Sequence, residues 1–253
     1  MRAPILLVSL TAAIAFAAGC GSSTSSGNAP NGMQAKSGDQ IVAAAVKAAK
    51  HESSLHFVET TAQGTARVSI VGDVGTSSGE QRITLREGAE VGHLTLLLTH
   101  GTAYFEGNTV GLEGFTGLSA TLSAEFAERW ISVPSTSTDF SQIADSLTVK
   151  SATTEFVKLP GTLTRGKTST EKGSPVVAVT AFQKSKSGTL RLTMYVATTG
   201  AVLPVVVEGT TTATGSTPRS VNAVFSDWGA VLHLAAPVSS IPIAELEALA
   251  EKG

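Results

Sequence analysis

Apolar and polar residues alternate along two long parts of the chain, which predicts two blocks of β-strands. In the segment 66–74, for example, Val68 and Ile70 face one side while Arg67 and Ser69 face the other. Glycine-rich turns separate most of these segments, as expected for antiparallel neighbours. The predicted strands lie at 55–62, 66–74, 81–86, 91–99 and 102–106 in the first block, and at 162–170, 176–182, 189–197, 201–208, 220–227 and 231–235 in the second.

Helical spacing of apolar residues predicts an alanine-rich helix at 41–50, which Ser37 or Asp39 can cap. The other predicted helices are short and lie at 120–130, 135–147 and 150–159, between the two strand blocks, and at 243–250; the segment 111–117 is interpreted as a mobile loop. The pattern predicts an α+β fold. In it, an open antiparallel curved sheet of about 10 to 11 strands has helices across its concave face.

The first twenty residues have the layout of a secretory signal. Arg2 gives a positive start, residues 4–18 are apolar, and small residues run into Cys20, the single cysteine of the chain. The apolar stretch is too short to cross a bilayer as a mature helix. The arrangement resembles the bacterial lipobox, which implies cleavage after Gly19 and acylation of Cys20 with chains such as palmitate. An ordinary signal peptide with a chance cysteine is the alternative.

The signal divides the chain into three predicted segments. Residues 1–19 are the signal peptide, residues 20–37 are a lipidated flexible tether, and residues 38–253 form one folded domain. The tether is poor in apolar residues and cannot bury enough surface to order itself. Two or three acyl chains on Cys20 would anchor the protein stably, so we predict an extracytoplasmic protein held to the cell membrane by lipid.

Composition limits the partners and the sources of stability. The chain is 42% hydrophobic and 15% charged, with a formal net charge of -2. No basic patch is visible in the sequence, so nucleic acid is not an expected partner. A single cysteine at the anchor excludes a disulfide within the domain, and stability must therefore come from packing.

The residues that usually carry chemistry are scattered. The five histidines show no metal-ligand spacing, and the glycines of 111–117 lie outside a strand-to-helix phosphate loop. Ser169 and Lys172 match a serine–lysine motif, but they lie in a polar segment between strands, where a chance match is favoured. We therefore expect no enzyme, no metal site and no cofactor.

Several predicted strands carry bulky apolar residues on both faces, so both faces of the sheet need cover. If the few helices cover the concave face incompletely, an apolar cavity remains, which would accept an apolar ligand. A filled core is the alternative. The candidate lining residues, chosen by alternation, are Val68, Ile70, Leu85, Leu96, Leu98, Leu192, Met194 and Phe225.

Three local sequences carry a resemblance to a known family. They are the helix-to-strand entry 43–57, the short strand 102–105 followed by a helical stretch to Trp130, and the late segment 225–229 with Pro237. With the signal and tether, this order resembles the LppX/LprA/LprF/LprG lipoproteins of mycobacteria, which are similar in fold to the LolA and LolB carriers. The resemblance implies an 11-stranded half-barrel with an apolar cavity for acyl chains, and no catalytic residues.

These observations lead to two hypotheses. The first is a membrane-anchored envelope lipoprotein that binds, or binds and transfers, acylated lipids or lipoglycans. The polar heads would stay at the rim near the helical insert, which is the group of predicted helices at 120–159. Its partners would be the cell membrane, the lipid ligand and an envelope transporter. The second is a non-transporting interaction module or surface antigen with a filled core.

Overall fold

A computed structural model describes residues 29–156 and 159–250 of the chain. Cys20 and the predicted signal peptide lie outside the described residues. The described residues form an α+β fold built on one large, curved and unclosed sheet, which confirms the predicted fold class. The sheet has twelve strands in the order β12-β6-β5-β4-β3-β2-β1-β11-β10-β9-β8-β7.

All strand pairs are antiparallel except the pair β12–β6. The strands are β1 Ser54–Gln63, β2 Ala66–Gly75, β3 Gly79–Glu87, β4 Glu90–Thr99, β5 Thr102–Gly107, β6 Ile131–Pro134, β7 Thr162–Glu171, β8 Ser174–Ser185, β9 Gly188–Ala197, β10 Pro204–Ala213, β11 Arg219–Ser226 and β12 Ile241–Pro242. The β1–β11 pair joins the two strand blocks, so both blocks belong to one sheet.

The helices are short and pack against one face of the sheet, which we call the helix face; the opposite side is the outer face. They are α1 Gly38–Ala49, α2 Thr109–Thr116, α3 Ala120–Phe126, α4 Phe140–Ser146, α5 Val149–Phe156 and α6 Ile243–Ala250. None of the described helices is long and apolar enough to cross a membrane.

Two apolar clusters hold the helices to the sheet. In the first, Ile41 and Ala45 of α1 and Val149 of α5 pack with Phe57 and Met194 of the sheet. In the second, residues of α2, α3, α4 and α6 pack against β4, β5 and β6, with Leu112 and Phe126 fully buried. The interior is therefore split between the two halves of the sheet.

The start of α1 follows its sequence. Ser37 accepts a hydrogen bond from the Gln40 amide, and the Gln40 side chain accepts one from the Ser37 amide, which completes a capping box. Asp39 lies in the first turn and Lys47 in the last, where their charges suit the helix dipole. Ser37, one of the two predicted caps, is the residue that acts.

Three sequence predictions are wrong in detail. The segment 111–117, interpreted as a loop, lies largely in α2, because Asn108 caps the helix through a bond from the Gly111 amide. The segment 231–235, predicted as a strand, has no strand structure. The short strands β6 and β12 were not predicted, because segments of four and two residues show no readable alternation. Pro204 lies at a bulge in the pairing of β9 with β10.

The sheet has a distal end and a proximal end, defined by the turns that they hold. The distal end holds the turns β1–β2, β3–β4 and β8–β9 and the segment 214–218 between β10 and β11. The proximal end holds the turns β2–β3 and β4–β5 and the loop 198–203 between β9 and β10.

The N-terminal segment 29–36 is joined to the proximal end. Pro30 forms a bridge with Thr199, and the Asn31 side-chain amide donates to the carbonyl oxygens of Ala197 at 2.9 Å and Gly200 at 3.3 Å. Met33 packs against the first apolar cluster. This part of the predicted flexible tether is therefore bound to the domain.

The contact between Gly72 and Phe57 gives a prediction about stability. The two residues are directly opposite across β1 and β2, and a Cβ atom on Gly72 would overlap the buried Phe57 ring. Gly72→Ala should therefore lower the free energy of unfolding by about 1–3 kcal/mol in urea denaturation.

The matched control is Gly114→Ala. Gly114 lies inside α2, where a Cβ atom would meet the Leu85 side chain at an ordinary 3.7 Å. This substitution should raise the free energy of unfolding by about 0.5–1 kcal/mol. Equal stability of the Gly72→Ala variant and the parent would contradict the described packing.

Candidate functional site

The helices leave the distal part of the helix face incompletely covered. Towards the proximal end, Leu55, Phe57 and Val74 are fully buried. Towards the distal end, apolar side chains on the same face keep part of their surface exposed. This set, which we call the distal strip, consists of Val68, Ile70, Ile83, Leu85, Leu190, Leu192 and Val221.

A cleft of about 350 Å³, the first cleft, lies at the distal strip where β1, β9, β10 and β11 meet. Its lining residues are Glu59, Gln63, Leu190, Leu192, Val207, Thr211, Ala213, Ser216, Thr217, Arg219 and Val221. The four branched apolar side chains lie along the strands, whereas Ser216 and Thr217 belong to the turn at the distal end. The volume falls within the range of small-molecule sites, about 300–1,000 Å³.

The first cleft combines apolar walls with a few polar groups. Glu59 is only 8% exposed, and its carboxylate accepts a hydrogen bond of 3.0 Å from the Thr61 hydroxyl. At the distal end, the Gln63 side-chain amide donates to the Thr217 carbonyl oxygen at 3.2 Å, which links β1 to the β10–β11 segment. Arg219 begins β11 at the same end. An apolar chain could lie along the walls with a polar group at this rim.

A second cleft of about 250 Å³ lies in the other half of the fold, between β5, β6, α2, α4 and α6. The Phe105 and Phe115 rings meet edge to face there, with centroids 5.9 Å apart. Asp139 and Glu247 are its acidic lining residues, and Leu246 of α6 supplies part of its apolar wall. The two clefts lie against different apolar clusters.

The structure places all eight candidate lining residues on the helix face. They divide into two groups. Leu96, Leu98, Met194 and Phe225 are buried within the apolar clusters, whereas Val68, Ile70, Leu85 and Leu192 are partly exposed on the distal strip. Leu192 is the one of the eight that lines the first cleft.

Alternation alone could not separate these two groups, because it reports the face of a residue and not its position along the strand. The polar members of the first cleft, Glu59, Gln63 and Arg219, were not selected from the sequence. The clearest available signal was Glu59, a carboxylate on the apolar side of the β1 alternation.

Charges that are distant in sequence meet at the distal end. The exposed cations near the distal turns, which we call the basic rim, are Arg67, Arg86, Lys184, Lys186, Arg191 and Arg219. The β3–β4 turn carries two carboxylates, Glu87 and Glu90. The sequence shows no run of cations because these residues belong to separate strands and one turn.

Polar pairs also occur on the outer face. His56 Nδ1 and Asp73 Oδ1 are 2.8 Å apart, and Ser226 is the register partner of His56 on the adjacent strand. The Ser226 hydroxyl donates to Asp227 at 3.1 Å, so it is engaged away from the histidine. Among the described residues, no group of three or more potential ligands could hold a metal ion.

Two groups with raised pKa values lie on the outer face as well. The hydrogen bond that the Tyr195 hydroxyl donates to Glu208, at 2.8 Å, raises the pKa of Tyr195 to about 12. Burial, followed by the nearby Glu128 and Glu80 carboxylates, raises the pKa of Glu106. Neither group lines the first or the second cleft.

Comparison with solved structures shows that the same architecture occurs in a known protein. The chain is similar to LprF from Mycobacterium bovis, with a TM-score of 0.53 and 16% sequence identity over 80% of this chain and 97% of LprF. The lipoprotein LppX of Mycobacterium tuberculosis aligns with a TM-score of 0.48 and 13% identity, over 78% of this chain and 99% of LppX. No family model and no curated protein matches the sequence. At 16% identity, the likeness to LprF shows a shared fold.

The division into buried and partly exposed positions gives a prediction on one strand. Met194 and Leu192 lie two residues apart on the helix face of β9, but Met194 is 0% exposed and Leu192 is partly exposed. Met194→Ala should lower the free energy of unfolding by about 2–5 kcal/mol. Leu192→Ala should lower the free energy of unfolding by only about 1 kcal/mol, because the Leu192 side chain buries less apolar surface than Met194 does. Equal losses in denaturant unfolding would place Leu192 in the core and not on a cleft wall.

Proposed function

We propose that the protein is an envelope lipoprotein that binds acylated lipids or lipoglycans in the first cleft. The observation that carries this proposal is the first cleft: Leu190, Leu192 and Val221 of the distal strip remain partly exposed and line a cleft of about 350 Å³. Concave sites with mainly apolar walls and a few polar groups are typical of ligand-binding sites. The fold that the chain shares with LprF agrees with the sequence resemblance to the LppX/LprA/LprF/LprG lipoproteins, which implies an apolar cavity for acyl chains.

Binding would be passive. Acyl chains would leave water for the walls formed by Leu190, Leu192, Val207 and Val221, with a gain of roughly 25 cal/mol per Å² of apolar surface buried. The polar head would stay at the distal end, where Gln63, Thr217 and Arg219 offer hydrogen-bonding groups. This rim differs from the expected one near the helical insert, because the turn between β10 and β11 supplies it.

Glu59 gives the apolar wall of the cleft one polar side chain, which is 8% exposed and accepts a hydrogen bond from the Thr61 hydroxyl. Arg219 lies at the distal rim, so the anionic or sugar part of a lipid would remain there.

Attachment to the cell membrane through acylated Cys20 completes the proposal. The apolar segment 4–18 and the single cysteine that follows it support this attachment. We propose a binding protein that needs no catalysis and no cofactor, and an envelope transporter as one exchange partner.

Filling the first cleft tests the proposal. Val221→Trp places a large ring on the cleft wall and should weaken binding of a fluorescent dodecanoic acid at least tenfold, because the chain loses its space. The matched control is Asn222→Trp, which adds the same ring to the next residue of β11 on the exposed outer face. It should leave binding unchanged.

Native mass spectrometry with a lipid extract of the envelope would identify the guest. Retention of a lipid by the parent and by Asn222→Trp, and its loss from Val221→Trp, is the expected result. If the folded parent retains no lipid, the proposal fails. The second hypothesis, a non-transporting interaction module or surface antigen, is then favoured.

A further inference from the structure

The basic rim concentrates charge in a way that the whole chain does not. The chain has 18 Lys and Arg residues against 20 Asp and Glu residues. Six of those cations lie at the distal end, together with the carboxylates Glu87 and Glu90. All six are exposed, so each can reach a partner without rearrangement of the fold.

Part of the rim lowers the stability of the isolated domain. Arg67 and Arg86 are directly opposite across β2 and β3, both on the outer face. Like charges at opposed positions of an antiparallel pair are destabilising. An external array of negative charges would relieve this repulsion, which favours an anionic partner at the distal end.

Exposed apolar side chains accompany the cations. Phe182 is 50% exposed and pairs across the strands with Arg191. Val110, at the start of α2, is 37% exposed, and its side chain lies beside Gly92 near the start of β4. Basic residues mixed with exposed apolar groups are typical of surfaces that bind a membrane interface, where headgroups meet acyl chains.

The basic rim and the first cleft share one end of the sheet. Arg219 belongs to both, and the turn residues Ser216 and Thr217 line the cleft at the same end. A planar surface placed against the distal end would therefore contact the outer-face cations and also the part of the cleft formed by Ser216, Thr217 and Arg219. A bilayer is the partner that offers both negative headgroups and the acyl chains that the cleft is proposed to hold.

The N-terminal segment leaves this end free. It is bound to the loop 198–203 at the proximal end, and the length of β10 puts the distal turn about 30 Å away. Cys20 is about nine residues from Ala29, a reach of at most about 30 Å. An anchored domain can therefore present the rim away from its own anchor.

We propose that the basic rim docks the mouth of the first cleft onto an anionic lipid bilayer. The role of docking in lipid exchange rests on the proposed function, whereas docking itself depends only on the rim. Each rim cation near an anionic surface strengthens docking, and salt weakens it, because the charges are exposed to solvent.

The test uses the lipidated chain, as processed in the cell, in vesicles of neutral phosphatidylcholine. Docking to a second vesicle population is read by energy transfer between dyes in the two membranes. Acceptor vesicles that contain about one third phosphatidylglycerol should dock much more strongly than neutral ones, and added salt should remove the difference.

The rim variant combines Arg67→Ala, Arg86→Ala and Lys186→Ala, none of which lines a cleft. Its docking to anionic vesicles should fall roughly a hundredfold, because each of the three cations contributes about 1 kcal/mol, or about fivefold. The control combines Lys36→Ala, Lys47→Ala and Lys50→Ala, three exposed cations outside the distal end, and should dock like the parent.

The outcomes separate docking from lipid binding. Equal docking to neutral and anionic vesicles, or equal losses in the two triple variants, would overturn the proposal. Both variants should still bind fluorescent dodecanoic acid in solution. If neither the parent nor the two triple variants bind fluorescent dodecanoic acid, and only the rim variant fails to dock, the rim proposal stands and the proposed function fails.

Discussion

The structure depends on a mismatch between the length of the helices and the length of the strands. Most strands have about ten residues and span about 33 Å, whereas α1, the longest helix described, has 12 residues and spans about 18 Å. Short helices laid on long strands cover only part of a sheet. The apolar residues beyond their reach must stay partly exposed or bind something else.

This mismatch explains why the interior is divided. α1 and α5 bury the proximal parts of β1 and of β8 to β11, while α2, α3, α4 and α6 bury β4, β5 and β6. The distal strip lies at the margins of the two clusters: Ile70 and Leu192 pack against the first and Ile83 against the second, but all three keep part of their surface exposed. The polar residues Glu59 and Arg219 lie on the margin of the strip, beside the apolar walls of the first cleft.

The sequence predicted most of the fold because the alternation of apolar residues in strands and their helical spacing in α1 were both clear. Alternation located ten of the twelve strands, and the capping residue Ser37 marked the start of α1. It failed where segments were very short, as in β12, or where glycines masked a helix, as in α2. All eight candidate residues were placed on the correct face, but burial along the strand depends on helix length and position, which alternation does not report.

The basic rim could not have been read from the chain in order. Arg67 and Arg219 are far apart in sequence, and no segment that contributes to the rim is itself a run of cations. Only the pairing of β1 with β11 brings the two strand blocks together, and with them the turns of both blocks. Charge clusters built across strands depend on which strands pair and in which register, and the order of residues along the chain does not show that pairing.

The unclosed sheet also has a consequence for self-association. β7 is an edge strand of ten residues, nearly all of them exposed, and such an edge can pair with an edge of another copy. Its pairing with β8 is irregular between Arg165 and Thr168, and Lys167 adds a second charge within this interruption. An irregular, charged border resists continuous strand addition, so molecules at high local concentration can remain separate.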